Sequence, residues 1–183
     1  MASIKLKGRE IPLIYTVYEM KQIQEEIGDL SSVLYRVTGR DPKDENNTDP
    51  YGGVDHLESL AKLIRILGNA GLEEAGEAPD LTEKKIMRAI KPNELILMAN
   101  ECLNCMTDGM LSEIPETPQE GPVDVTLEEM EKKKRDGTLT YLMVVSWGLI
   151  AGLSLPEIHR MKPGAVMDLF RYRRNYDYIR HMV

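Results

Sequence analysis

Apolar residues recur at helical spacing through most of this chain, and only its opening stretch alternates as a strand does. Ile4, Leu6, Ile11 and Leu13 flank a polar tip, Lys7-Gly8-Arg9, which predicts two short strands joined as a β-hairpin. Thr16 and Glu19 have the T-x-x-E spacing of a capping box. Val17, Met20, Ile23 and Ile27 follow on one helical face until Gly28 ends it. Leu30 to Val37 is apolar enough for a short helix. The next apolar face carries Leu57, Leu60, Ala61, Ile64 and Leu67; it is entered through Asp55 and Glu58 and loosened by Gly68 and Gly71. Asp80 and Glu83 cap a segment bearing Ile86, Met87 and Ile90, and Pro92 opens a helix from Asn93 to about Ser112. On that helix Asn100, Glu101, Asn104 and Asp108 form one narrow polar stripe. Leu95, Leu97, Met98, Ala99, Cys102, Leu103, Met106 and Met110 take most of the remaining circumference, so the helix is either central to its domain or partly covered by a partner.

Towards the C-terminus, Leu139 to Ala151 is the longest nearly charge-free run. It is shorter than the roughly 20 apolar residues a bilayer requires, and it predicts a buried helix. Gly152 supplies a stop, Ser154 with Glu157 forms a second capping box, and Lys162-Pro163 ends that short helix. Pro163 then starts a third, with Val166, Leu169, Phe170, Tyr176 and Ile179 near a 3.6-residue period. Three helices in so short a stretch cannot enclose a core alone, so the unit leans on something else.

Two stretches lack this periodicity. Thr38 to Gly53, rich in Gly, Pro, Asp and Asn, reads as a long loop; Asp41, Asp44, Glu45 and Asp49 do not follow the ligand order of a calcium-binding EF-hand. Glu113 to Glu131 holds seven acids and no base before Lys132-Lys133-Lys134-Arg135, the composition of a linker that turns helical from Leu127 to Arg135. The expected architecture is therefore mainly α with a short N-terminal β-hairpin. It comprises a main helical domain over 1–113, an acidic proline-containing linker over 114–137 and a three-helix unit over 138–183.

Charge and chemistry narrow the function. A net charge of −7 disfavours coating of a phosphate backbone. With no N-terminal signal segment, a reducing cytoplasm is the expected compartment, where the Asn46-Asn47-Thr48 sequon carries no meaning. Cys102 and Cys105 make a C-x-x-C, but well inside an apolar helix rather than at a helix start, and so read as small core residues. His159 beside Glu157 reads as a helical surface pair. No nucleotide-binding loop, zinc-protease motif or nucleophile elbow is present, so no enzyme activity, cofactor or metal is expected. Residues 147–180 offer one alternative, a helix-turn-helix DNA-binding regulator, because six Lys or Arg stand against two Asp from Arg160 to Arg180.

The segment IKLKGREIPLIYTVYEMKQIQEEIG resembles the opening of phage tail assembly chaperones, in which a short strand pair leads into a helix. WGLIAGLSLPEIHRMKPGAVMDLF resembles their C-terminal unit. The resemblance implies a non-enzymatic protein of the host cytoplasm that binds the tape measure protein and helps recruit tail tube (major tail) subunits around it. It also implies that the region before Thr138 is where a frameshift-extended form could begin. Such a chaperone needs adaptable apolar faces. Methionine is flexible and the chain has eleven, so Met98, Met106, Met110 and Met143, with Trp147 and Phe170, are the candidate contacts. Surplus apolar helix surface implies another polypeptide as its cover, self-association included.

Overall fold

A computed structural model describes residues 2–38, 54–111 and 125–182, and for 54, 55, 125 and 175–182 it describes the backbone alone. The expected loop, from 39 to 53, and the proline-containing acidic stretch, from 112 to 124, lie outside the described residues. The fold is mainly α with a two-stranded antiparallel hairpin. Strands β1 (Ser3–Leu6) and β2 (Arg9–Pro12) are followed by α1 (Val17–Glu26), α2 (Leu30–Thr38), α3 (Val54–Glu74) and α4 (Glu83–Met87). A 3-10 turn (Pro92–Glu94) leads into α5 (Leu95–Met110). The C-terminal part holds α6 (Val125–Arg135), α7 (Tyr141–Ile150), α8 (Leu155–Arg160) and α9 (Pro163–Met182).

Local chemistry accounts for the hairpin and the first helix. Lys7 and Gly8 both take positive φ, 49° and 86°, as a two-residue type I′ turn requires. The register pairs Ile4 with Ile11, which puts Ile4, Leu6 and Ile11 on one buried face. At α1 the Thr16 and Glu19 capping box forms, with the Thr16 amide donating to the Glu19 carboxylate at 3.0 Å. Val17, Met20, Ile23 and Ile27 are all buried.

Three local expectations are corrected. Helix α3 runs unbroken through Gly68 and Gly71 rather than loosening there, because both glycines are sites of close approach. A Cβ on Gly71 would lie 2.0 Å from the Pro12 carbonyl oxygen, and one on Gly68 would lie 2.7 Å from Leu81. The N-cap of α4 is Thr82, not Asp80; the Asp80 carboxylate is engaged with Arg9 and Lys85 instead. Helix α6 begins at Val125 rather than Leu127, and its Leu127 and Met130 are buried rather than belonging to a solvated linker. Arg171 of α9 pairs with Glu131 on this helix.

A single core runs through all of these elements. The hairpin packs on α3, α1 lies against α3, α7 and α8, and α5 touches α2, α3 and α9. The three C-terminal helices therefore lean on α1 and α5. At the second contact the fit is tight, since a Cβ on Gly164 would meet the Leu111 carbonyl oxygen at 2.2 Å.

Candidate partner-docking face

Polar bonds over long sequence distance fix the position of α7 and α8. The Gln24 side chain on α1 accepts from the Tyr141 amide at 2.8 Å and donates to the Leu139 carbonyl at 3.2 Å. It thus supplies one of the partners that a helix N-terminus lacks. Thr140, the N-cap residue, accepts from the Met143 amide. At the other end of the corner, the Thr16 hydroxyl donates to the His159 carbonyl at 2.8 Å and the Val17 amide donates to the Met161 carbonyl at 2.9 Å. His159 does not pair with Glu157. Its Nε2 lies 2.8 Å from the Tyr141 hydroxyl, while the Glu157 carboxylate closes the α8 capping box, accepting from the Ser154 hydroxyl at 2.5 Å and the Ser154 amide at 2.8 Å, bonds that hold it below the ordinary carboxylate range.

Side chains close the inner side of α7. Gly148 has no Cβ, so Ile158 and Val166 press directly on the helix backbone; a Cβ there would come within 2.7 Å of Ile158. Val144 is buried beside it, and Trp147 stacks on Phe170 with ring centroids 5.9 Å apart. No element among the described residues covers the outer side. Leu142 is 70 % exposed, Leu149 53 % and Ile150 58 %, and Leu155 stands exposed just past the Gly152 corner. The charge-free run was expected to form a buried helix; α7 is instead apolar all round and covered on its inner side alone. A helix of that composition exposes what a partner normally hides. Covering these four residues would contribute about 1 kcal/mol or more apiece.

The six residues singled out from sequence divide differently. Met98, Met106, Met110 and Phe170 are buried in the core. Met143 and Trp147 are partly buried at the edge of the α7 face. The four buried side chains are enclosed by the chain's own elements, and the exposed apolar surface is made by Leu142, Leu149, Ile150 and Leu155. On α5, Ile96 and Leu97 are exposed as well, immediately before the buried Met98. The lack of any charge on α7 was the sequence signal for its outer side, since a fully buried helix and a partner-covered one share that composition.

Cys102 and Cys105 are free, buried thiols. Burial first, and then neighbouring negative charge, pushes both up, Cys105 to about 12; burial raises the Tyr15 phenol too. A raised acid pKa in the folded state means that stability is fully present below the unfolded value and is lost as pH rises. Above the ordinary thiol value of 9.0 the unfolded chain gives up protons that the folded chain keeps. Stability is expected to fall from that pH upward, by about 1.4 kcal/mol per pH unit from Cys102. Urea unfolding at about pH 8 and about pH 10 checks this, with the lower midpoint at the higher pH.

Among the described residues no group of three or more His, Cys, Asp or Glu side chains is placed to hold a metal ion, and no helix is long and apolar enough to cross a membrane. No protein-family model, curated protein or solved structure matches this chain.

Proposed function

We propose that this protein is a non-enzymatic assembly chaperone that holds an apolar helical segment of another protein on the α7–α8 face. In this reading it acts as phage tail assembly chaperones do, with the tape measure protein as client and the tail tube subunit as a second partner. The observation that carries the reading is the exposed row of Leu142, Leu149 and Ile150 on α7 and Leu155 at the start of α8, two helices otherwise fixed by the core. An amphipathic client helix laid along that row meets the general requirement for helix-in-groove recognition, apolar anchors at helical spacing on both partners. The net charge of −7 supports solubility of the complex once the apolar surfaces are joined.

A helix-turn-helix regulator finds less support in the same region. Helix α8 has six residues, about 9 Å of helix, which is short for a recognition helix in a major groove. Arg171, one of the basic residues counted towards DNA, is engaged with Glu131 and Asp168.

Co-expression tests the proposal. With the tape measure protein, the wild-type chain is expected to give a soluble complex, and L142E/L149E to weaken it about 30-fold or more while melting at an unchanged temperature. Equal recovery of the complex with both chains, or no complex with either, sinks the reading. Salt-sensitive binding to duplex DNA would turn it to the regulator.

A further inference from the structure

Away from α7, an open groove of about 470 Å³ lies between the hairpin and α4. Leu6, Leu81 and Ile86 make an apolar floor, and all three are buried. Around it stand Lys7 from the hairpin turn and Lys84 and Arg88 from α4 and its C-cap. None of these three cations has an ion-pair partner among the described residues. Arg9 and Lys85 also line the groove, but they are occupied: Arg9 reaches Glu77 at 2.7 Å and Asp80 at 3.0 Å, and Lys85 reaches Asp80 at 3.2 Å. Asp80 is the one carboxylate among the described residues lining the groove, and those two ion pairs already occupy it.

The local charge is thus opposite in sign to that of the whole chain, which carries −7. Lysines and arginines on an acidic protein find carboxylates easily, and Arg9 and Lys85 have done so. Lys7, Lys84 and Arg88 have none among the described residues, and they ring an apolar floor. Lys84 and Arg88 are four residues apart, about 6 Å along the helix surface, a spacing that carboxylates at i and i+4 of a second helix match. We propose that this groove docks an acidic amphipathic segment of a partner protein. The partner's carboxylates pair with Lys7, Lys84 and Arg88, and its apolar side chains lie on the floor. Single-stranded nucleic acid fits less well, because no aromatic side chain among the described residues lines the groove to stack a base and the net charge repels a phosphate chain. The groove shares no residue with the α7–α8 face, so the two docking surfaces stand or fall separately.

Fluorescence anisotropy on the full chain provides the test. The probe is a fluorescein-labelled helical peptide of about 16 residues with glutamates at i and i+4 on one face and leucines on the other. Its comparators are the same peptide with lysine for glutamate and a single-stranded oligonucleotide of equal length. The Glu peptide is expected to bind in a salt-sensitive manner and the Lys peptide not. K7E/K84E/R88E is expected to weaken the Glu peptide about tenfold or more. The milder K7Q/K84Q/R88Q, checked for an unchanged melting temperature, is expected to weaken it in the same direction should charge reversal disturb folding. L142E/L149E leaves this binding as it is, which separates the groove from the α7–α8 face. The proposal is overturned if the Glu peptide does not bind, if the two peptides bind alike, if neither triple variant changes binding, or if the oligonucleotide binds more tightly. It is overturned too if sedimentation shows the triple variants breaking a dimer, for the occupant is then a second copy of this chain.

Discussion

Phe170→Ala is expected to lower the free energy of unfolding by about 3–5 kcal/mol, the usual cost of emptying a fully buried aromatic site. The side chain is 1 % exposed and stacks on Trp147 with the ring planes 25° apart. Removing it takes away the transfer free energy of the ring and leaves a void that the helices on either side, both anchored elsewhere, cannot close. For a chain of this length each kcal/mol shifts the melting temperature by about 2–4 °C, so a fall of roughly 6–20 °C is expected in a circular-dichroism melt. The chain has a single tryptophan, and it is the stacking partner, so its emission should move to longer wavelength in the folded variant. Were Phe170 a contact for a partner instead, alanine there would weaken binding and leave the melt unchanged.

Gly71→Ala is the second large effect, expected at about 3 kcal/mol or more. One methyl group suffices, because its carbon would be placed 2.0 Å from the Pro12 carbonyl oxygen and 2.5 Å from the carbonyl carbon. Neither atom is the end of a flexible side chain. Either β2 moves away from α3, which uncovers Ile11 and Leu13, or α3 bends, which disturbs Leu67 and Leu72. Helix propensity pulls the other way, since alanine favours an interior helical position over glycine by about 1 kcal/mol. The steric term wins. A melting temperature raised by the substitution would show that α3 does not touch the strand.

These two positions show what the sequence disclosed and what it withheld. Thr16 with Glu19 and Ser154 with Glu157 are caps whose whole mechanism spans three residues, and both could be read directly. The helix stop at Gly152, with φ of 94°, is equally local. Gly71 looked like a weak point in a helix because the reason for it, Pro12, lies far back in the chain. The same distance explains Asp80: its spacing to Glu83 suggested a cap, but Arg9 draws it to the hairpin. For the docking face the difficulty was of another kind. Periodicity separates an apolar side from a polar one, and α5 and α7 have too little polar surface to orient them. The methionines on α5 point inward because three other helices converge there, whereas the leucines of α7 point outward because none of the described elements reaches them.

The bond from Thr16 to His159 joins residues 143 positions apart. On the ribosome, helix α1 is therefore made long before the groups that complete its first turn. Until α7, α8 and Met161 emerge, the Val17 amide lacks its carbonyl, and Tyr18, Lys21 and Gln24 lack the His159 and Tyr141 groups they meet in the finished fold. The nascent N-terminal half therefore passes through synthesis with one flank of α1 unpartnered, and the helices made last are the ones that complete it.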